Sequence, residues 1–200
     1  MHYQHQSLPT CSNTFLRRVE DMEHILRERI ALLPGVRDRD NSPIIFCPAR
    51  DINSNIEHVR NLLLYLYDVT AGGMIFGNSE KMGGGREGLS SLTTDDAKSR
   101  GFVIVLDMRR GTSWDVVKPI LKSLQEYFPA KINCVYIIKP EKFLDKYKIS
   151  TAKYTKFELQ MVSPDALTKY IDYSQIPKEF GGSFKFDYDE WIEIRRVCFE

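Results

Sequence analysis

The run Gly101-Phe102-Val103-Ile104-Val105-Leu106-Asp107-Met108-Arg109 constrains this chain more than any other stretch. It is continuously apolar and rich in β-branched residues, and it ends in a charge cluster followed by Gly111. A strand covered on both faces has this composition, because neither face tolerates polar side chains. Ser113-Trp114-Asp115 then opens an amphipathic stretch, and Ile132 to Ile138 supplies a second buried run. Strand, helix and strand in that order form a right-handed crossover in an α/β sheet.

Composition narrows the partners. A net charge of +1 argues against a generic nucleic-acid binder, which needs a basic surplus to displace phosphate counterions, so no nucleic acid is expected. The cysteines Cys11, Cys47, Cys134 and Cys198 stand far apart, and two of them fall inside predicted strands, where a thiol acts as a small apolar group. That pattern speaks against a disulfide framework or a zinc site and favours a reducing cytoplasm. Met1 to Thr10 has no apolar h-region, and no run approaches the about 20 apolar residues of a membrane span.

The rest of the chain alternates between helix and strand signals. Phe15, Val19, Met22, Leu26, Ile30 and Leu33 recur at helical spacing, which predicts a helix ended by Pro34-Gly35. Ile44 to Cys47 is a short strand, and Ser54 with Glu57 forms a capping box ahead of a helix over 55–68. Residues 72–100 are expected to be a flexible, dispensable surface insertion. Gly83 to Gly88 formally satisfies G-x-G-x-x-G, but Asn78-Ser79-Glu80-Lys81 precedes it instead of a buried strand. A helix is expected over 114–128, irregular in its first turn because Pro119 lies inside it. Further elements are a strand over 132–138, a short helix over 141–147, a strand over 157–162 and a helix over 165–171 started by Ser163-Pro164-Asp165. Asp187-Tyr188-Asp189-Glu190 repeats the cap pattern before a last helix, still running at Glu200, which hints at a module from a longer protein.

Ile176-Pro177-Lys178-Glu179-Phe180-Gly181-Gly182 resembles the P-x-E-F-G-G segment that closes Sec14-like (CRAL-TRIO) lipid-binding domains. Gly101 to Met108, Trp114 to Pro119, Ile137-Ile138-Lys139-Pro140 and Asp189 to Arg195 are similar to one branch in particular. That branch precedes spectrin repeats in Dbl-type Rho guanine-nucleotide exchange factors and in related spectrin-repeat proteins. The resemblance implies an α/β fold with a mixed, mainly parallel sheet that floors an apolar lipid cavity gated by a mobile helix, here with an abbreviated N-terminal helical part. Lys156 matches the headgroup lysine of the transfer proteins. Ala130 stands where they carry a glutamate, and Lys153 replaces their threonine. These departures point away from lipid exchange of the transfer-protein type and leave lipid or membrane recognition.

The segment from Lys139 to Lys156 is the candidate binding surface. Lys139, Lys142, Lys146, Lys148, Lys153 and Lys156 face only Glu141 and Asp145, with Phe143, Leu144 and Tyr147 interleaved. Ammonium groups would meet lipid phosphates and aromatic rings the headgroup boundary, each lysine contributing about 1 kcal/mol. The competing view is a solvated lysine-rich loop. Asp107, at the carboxyl end of the central strand, is placed where α/β sheets bind ligands. No histidine or second carboxylate accompanies it, so capping of neighbouring amides or pairing with Arg109 is expected instead of catalysis. His2, His5, His24 and His58 form no i, i+4 metal pair. Cys47 and Cys134 have no neighbouring base to activate a thiolate.

The expected organisation is a flexible N-terminus over 1–12, one Sec14-like domain over 13–186, and the start of a C-terminal helix over 187–200. The expected function is a non-catalytic lipid- or phosphoinositide-recognising module, cytoplasmic and peripherally membrane-associated, that targets or autoregulates a larger Rho exchange factor or spectrin-repeat protein. No cofactor or metal is expected beyond a bound lipid. The partners are an anionic phospholipid surface and Rho exchange-factor or spectrin-repeat segments of the same or another protein. The alternative is a protein-interaction module with a filled lipid cavity, and an enzyme is not expected.

Overall fold

The computed structural model describes residues 18–48, 56–71, 100–109, 114–140 and 155–197. In chain order the elements are α1 (Val19–Leu26), β1 (Ile44–Cys47), α2 (Ile56–Ala71), β2 (Phe102–Asp107), α3 (Trp114–Tyr127), β3 (Ile132–Ile138), β4 (Glu158–Val162), α4 (Pro164–Leu167) and α5 (Tyr188–Val197). Two single 3-10 turns, Tyr173–Gln175 and Lys178–Phe180, lie between α4 and α5.

The strands form one sheet in the order β1-β2-β3-β4, and every strand pair is parallel. β2 is fully buried and interior, as a run without polar side chains requires. Among the described residues, the antiparallel part of the expected mixed sheet is limited to isolated bridges, Leu32 with Phe46 of β1 and Arg37 with Pro43. One register shift falls between Phe102 and Val103. There the Asn133 amide of β3 donates to the Arg100 carbonyl at 2.6 Å and to the Ser42 hydroxyl at 3.2 Å, which ties the bulge down.

Side chains alternate between the two faces along each strand. On the first face Phe102 meets Tyr67 of α2 and Phe128 after α3, with ring centroids 6.3 and 5.0 Å apart. The second face carries the row Phe46, Val105, Tyr136 and Gln160, aligned across all four strands. Residues after β4 cover it: Phe180 packs on Phe46 at 4.8 Å, and Tyr170 stacks on Tyr136 at 4.6 Å.

Two expectations need correction. The first helix stops at Leu26 and does not reach Pro34. Arg29 takes the left-handed conformation (φ 51), and the following residues turn extended. Leu32 and Phe46 exchange both backbone hydrogen bonds, at 2.7 and 2.9 Å, so this segment covers the outer edge of β1. Ile30 to Leu33 are all buried, and a fully buried run carries no periodicity that separates helix from strand. The helix expected over 165–171 is the single turn Pro164–Leu167, with the Ser163 hydroxyl accepting from the Ala166 N–H at 3.2 Å as its cap. α3 runs as one helix from Trp114 to Tyr127, through Pro119. The capping box at Ser54, the segment 72–99, the helix over 141–147 and the last residues of the chain lie outside the described residues.

Candidate functional site

The carboxyl end of β2 is fastened to the P-x-E-F-G-G segment. Asp107 is 3% exposed, and Arg109 grips it with two hydrogen bonds, Nε to Oδ1 at 2.9 Å and Nη2 to Oδ2 at 2.7 Å. The Arg109 backbone N–H adds a third, at 2.9 Å to Oδ1. The Asp107 carboxylate therefore does both things expected of it: it caps an amide and pairs with its neighbour. Hydrogen bonding to Asp107 raises the Arg109 pKa further and fixes its charge. Arg109 Nη2 also donates to the Glu179 carbonyl at 2.8 Å, which anchors the closing segment from 70 residues away in sequence.

The closing segment owes its shape to local chemistry. Pro177 fixes the backbone entering the 3-10 turn, and Phe180 drives into the core at 1% exposure. Gly181 leaves the turn at φ 98, a conformation that favours glycine, and Gly182 follows. A Cβ on Gly182 would overlap the Ile176 carbonyl oxygen. The Phe184 N–H donates to that same oxygen at 3.0 Å, and Lys178 N–H donates to the Phe184 carbonyl at 2.9 Å, closing the loop on itself.

Of the residues singled out as a binding surface, Lys139 and Lys156 lie among the described ones. Lys142, Phe143, Leu144, Lys146, Tyr147, Lys148 and Lys153 lie outside them. Lys139 follows β3, half-buried, and its N–H donates to the Val162 carbonyl at 3.0 Å. Lys156 is exposed ahead of β4, its N–H held by the Gln125 side chain of α3 at 3.3 Å. The two sit at opposite ends of β4, whose 5 residues at about 3.3 Å each put roughly 15 Å between them. They do not converge on one pocket.

An aromatic groove escaped the sequence reading. Across 183–188 the exposed Ser183, Lys185 and Asp187 alternate with half-buried Phe184 and Phe186 and buried Tyr188. Ring centroids step along the segment at 6.4 Å (Phe184–Phe186), 6.0 Å (Phe186–Tyr188) and 5.6 Å (Tyr188–Trp191). With Pro34 and Pro177 they line an open groove of about 790 Å³. A second groove of about 420 Å³ shares Pro34 and Phe184 with it. Arg29 lies over the Tyr188 ring at 5.4 Å and Arg195 over the Trp191 ring at 5.4 Å, so two guanidinium groups bracket the stacked pair. The period-2 aromatics were a usable signal; the contribution of Pro34, distant in sequence, was not.

Other reactive groups are quiet. Burial pushes the Cys47 and Cys134 thiols up to about 12, away from nucleophilic thiolate. His58 Nδ1 contacts Glu28 Oε1 at 2.8 Å, and the His24 and His58 rings meet edge-on at 5.7 Å. Among the described residues no group of histidine, cysteine and carboxylate side chains is placed to hold a metal ion. No helix among them is long and apolar enough to cross a membrane.

A parallel sheet with helices on one face, closed on the other by an Asp-Arg-anchored P-x-E-F-G-G turn, defines a Sec14-like α/β domain. The sequence matches the family described as "Divergent CRAL/TRIO domain" over residues 88–189, and the chain belongs to that family. It is 30% identical over 182 residues to SEC14 domain and spectrin repeat-containing protein 1 of Xenopus tropicalis, covering 88% of this chain and 22% of that protein. It is 29% identical over 191 residues to the Probable guanine nucleotide exchange factor MCF2L2 of Homo sapiens, covering 90% of this chain and 15% of that protein. Guanine nucleotide exchange factor DBS of Rattus norvegicus is 26% identical over 182 residues, covering 86% of this chain and 14% of that protein. The chain thus spans less than a quarter of the length of these relatives.

Proposed function

We propose that this domain is a non-catalytic lipid- or phosphoinositide-recognising module that targets or autoregulates a larger Rho exchange factor or spectrin-repeat protein at membranes. The observation that carries the reading is the Asp107–Arg109–Glu179 anchor of the P-x-E-F-G-G segment in a chain that matches the CRAL/TRIO family. An aspartate tied on both oxygens to an arginine is a structural group, which supports a binding role over proton transfer. The ligand is a lipid held without cofactor or metal, and the location is the cytoplasmic surface of an anionic membrane. Native mass spectrometry of the purified chain tests this directly. A co-purified phospholipid is the expected result; ligand-free protein that also ignores phosphoinositide vesicles would overturn it.

A second reading, a protein-interaction module with a filled lipid cavity, draws on the ring pairs Phe46–Phe180 and Tyr136–Tyr170, which occupy space above the second face of the sheet. Its partners would be exchange-factor or spectrin-repeat segments. It predicts the ligand-free outcome of the same experiment.

A further inference from the structure

We infer that the aromatic groove beside α5 is a docking site for an extended, proline-rich peptide that carries an arginine. This rests on residues other than those of the lysine-rich segment and does not depend on the lipid reading. The groove is open, about 790 Å³, and floored by Phe184, Phe186, Tyr188 and Trp191 between Pro34 and Pro177. Ile194 stands at its rim, 38% exposed. Apolar surface of this kind, left open and framed by charges, marks a binding surface. An aromatic-lined groove suits a polyproline segment, which is already extended before it binds and so loses little conformational freedom.

Charge selects the arginine. Glu190 is exposed in the first turn of α5 and makes no ion pair among the described residues, while Asp187 beside it turns Oδ1 back to accept from the N–H groups of Asp189 and Glu190, both at 3.0 Å. The groove also seats a guanidinium of its own chain. Arg29 lies over Tyr188 at 5.4 Å and bonds Asp189 at 2.9 Å. Ring face and carboxylate together match a planar guanidinium better than the compact ammonium of lysine. Lys178 and Lys185 lie elsewhere along the same groove, so the peptide orients with its arginine toward Glu190 and away from them.

The test uses the full chain with Trp114→Phe, which leaves Trp191 as its one indole reporter, since the sequence holds 2 tryptophans. Four probes are titrated: a proline-rich peptide with one arginine, the same peptide with glutamate in its place, a helical alanine-based peptide with one arginine, and phosphatidylserine vesicles. The arginine–proline peptide should shift Trp191 emission and saturate. The glutamate version should bind about fivefold more weakly, the size of an exposed ion pair lost. Glu190→Lys should erase or reverse that preference, and Phe186→Ala should weaken both peptides while far-ultraviolet circular dichroism stays unchanged. Equal binding of the two proline peptides, an equal response to the helical peptide or to vesicles, no shift at millimolar peptide, or an indifferent Glu190→Lys variant would each overturn the inference. Should Trp114→Phe fail to fold, calorimetric titration of the unaltered chain with the same probes decides the same question.

Discussion

Two adjacent glycines in the closing segment separate two physical reasons for having no side chain. Gly181 needs its positive φ, while the nearest neighbours of an added Cβ are 3.7 Å away. Gly181→Ala should therefore cost only the left-handed backbone strain, about 1 kcal/mol. Gly182→Ala meets backbone oxygen at Ile176, which cannot rotate aside, and should cost about 3 kcal/mol or more. Chemical denaturation of the two variants should show that ordering. Arg109→Ala strands the buried Asp107 carboxylate and should lose about 2 kcal/mol, below the full cost for a buried pair because Arg109 is partly exposed. Adding Asp107→Asn should recover part of that loss. Asp38 behaves in the opposite sense: burial, outweighing the N–H groups of Ser42 and Asp40 that bond its oxygen, raises its pKa. The folded state then binds more protons across that window, so this group's contribution to stability falls as pH rises through it. Asp38→Asn keeps the accepting oxygen without the charge. Its melting temperature relative to wild type should be higher at about pH 7 than at about pH 3.

At the scale of elements, the lysine-rich segment carries the membrane prediction. Lys142, Lys146, Lys148 and Lys153 changed together to glutamine should weaken binding to anionic vesicles by about 3 kcal/mol. That effect should shrink with added salt, since exposed charges are screened beyond about 10 Å at 0.1 M. Phe143→Ala with Tyr147→Ala should weaken binding with little salt dependence, because burial is the term removed. Vesicle co-sedimentation at two salt concentrations checks both, and an unchanged four-lysine variant would move the choice to the interaction module. The elements themselves were unevenly legible. β2, α3 and β3 were readable because a two-sided apolar run, an amphipathic stripe and a second run follow one another with clear stops. The end of α1 was not readable, because Ile30 to Leu33 are buried on every side and the deciding contact, Leu32 with Phe46, is tertiary. The pairing of Asp107 with Arg109 is local and was visible. The Glu179 carbonyl and the groove wall at Pro34 come from distant segments, and no local pattern encodes them.

For the whole molecule, the buried thiols report global opening. Cys47 is 1% exposed and Cys134 6%, and burial raises both thiols to about 12. Alkylation of these two, followed by peptide mass spectrometry, should proceed only as fast as the sheet unfolds and should accelerate in step with denaturant. Modification within minutes under native conditions would contradict the sheet as described. The first and last described helices meet in a way that bears on force. Arg29, just past α1, bonds Asp189 in the first turn of α5 in an exposed ion pair, and Glu23 within α1 bonds Arg196 near the end of α5 in a half-buried one. The helices therefore run antiparallel, and residues 18 and 197 lie at the same end of the pair. A pull applied between those two points peels the seam open one ion pair at a time, Arg196–Glu23 before Arg29–Asp189. Unzipping of this kind yields at low tension, whereas the parallel strands behind it would have to slide past one another all at once, so the seam gives way first and spares the sheet.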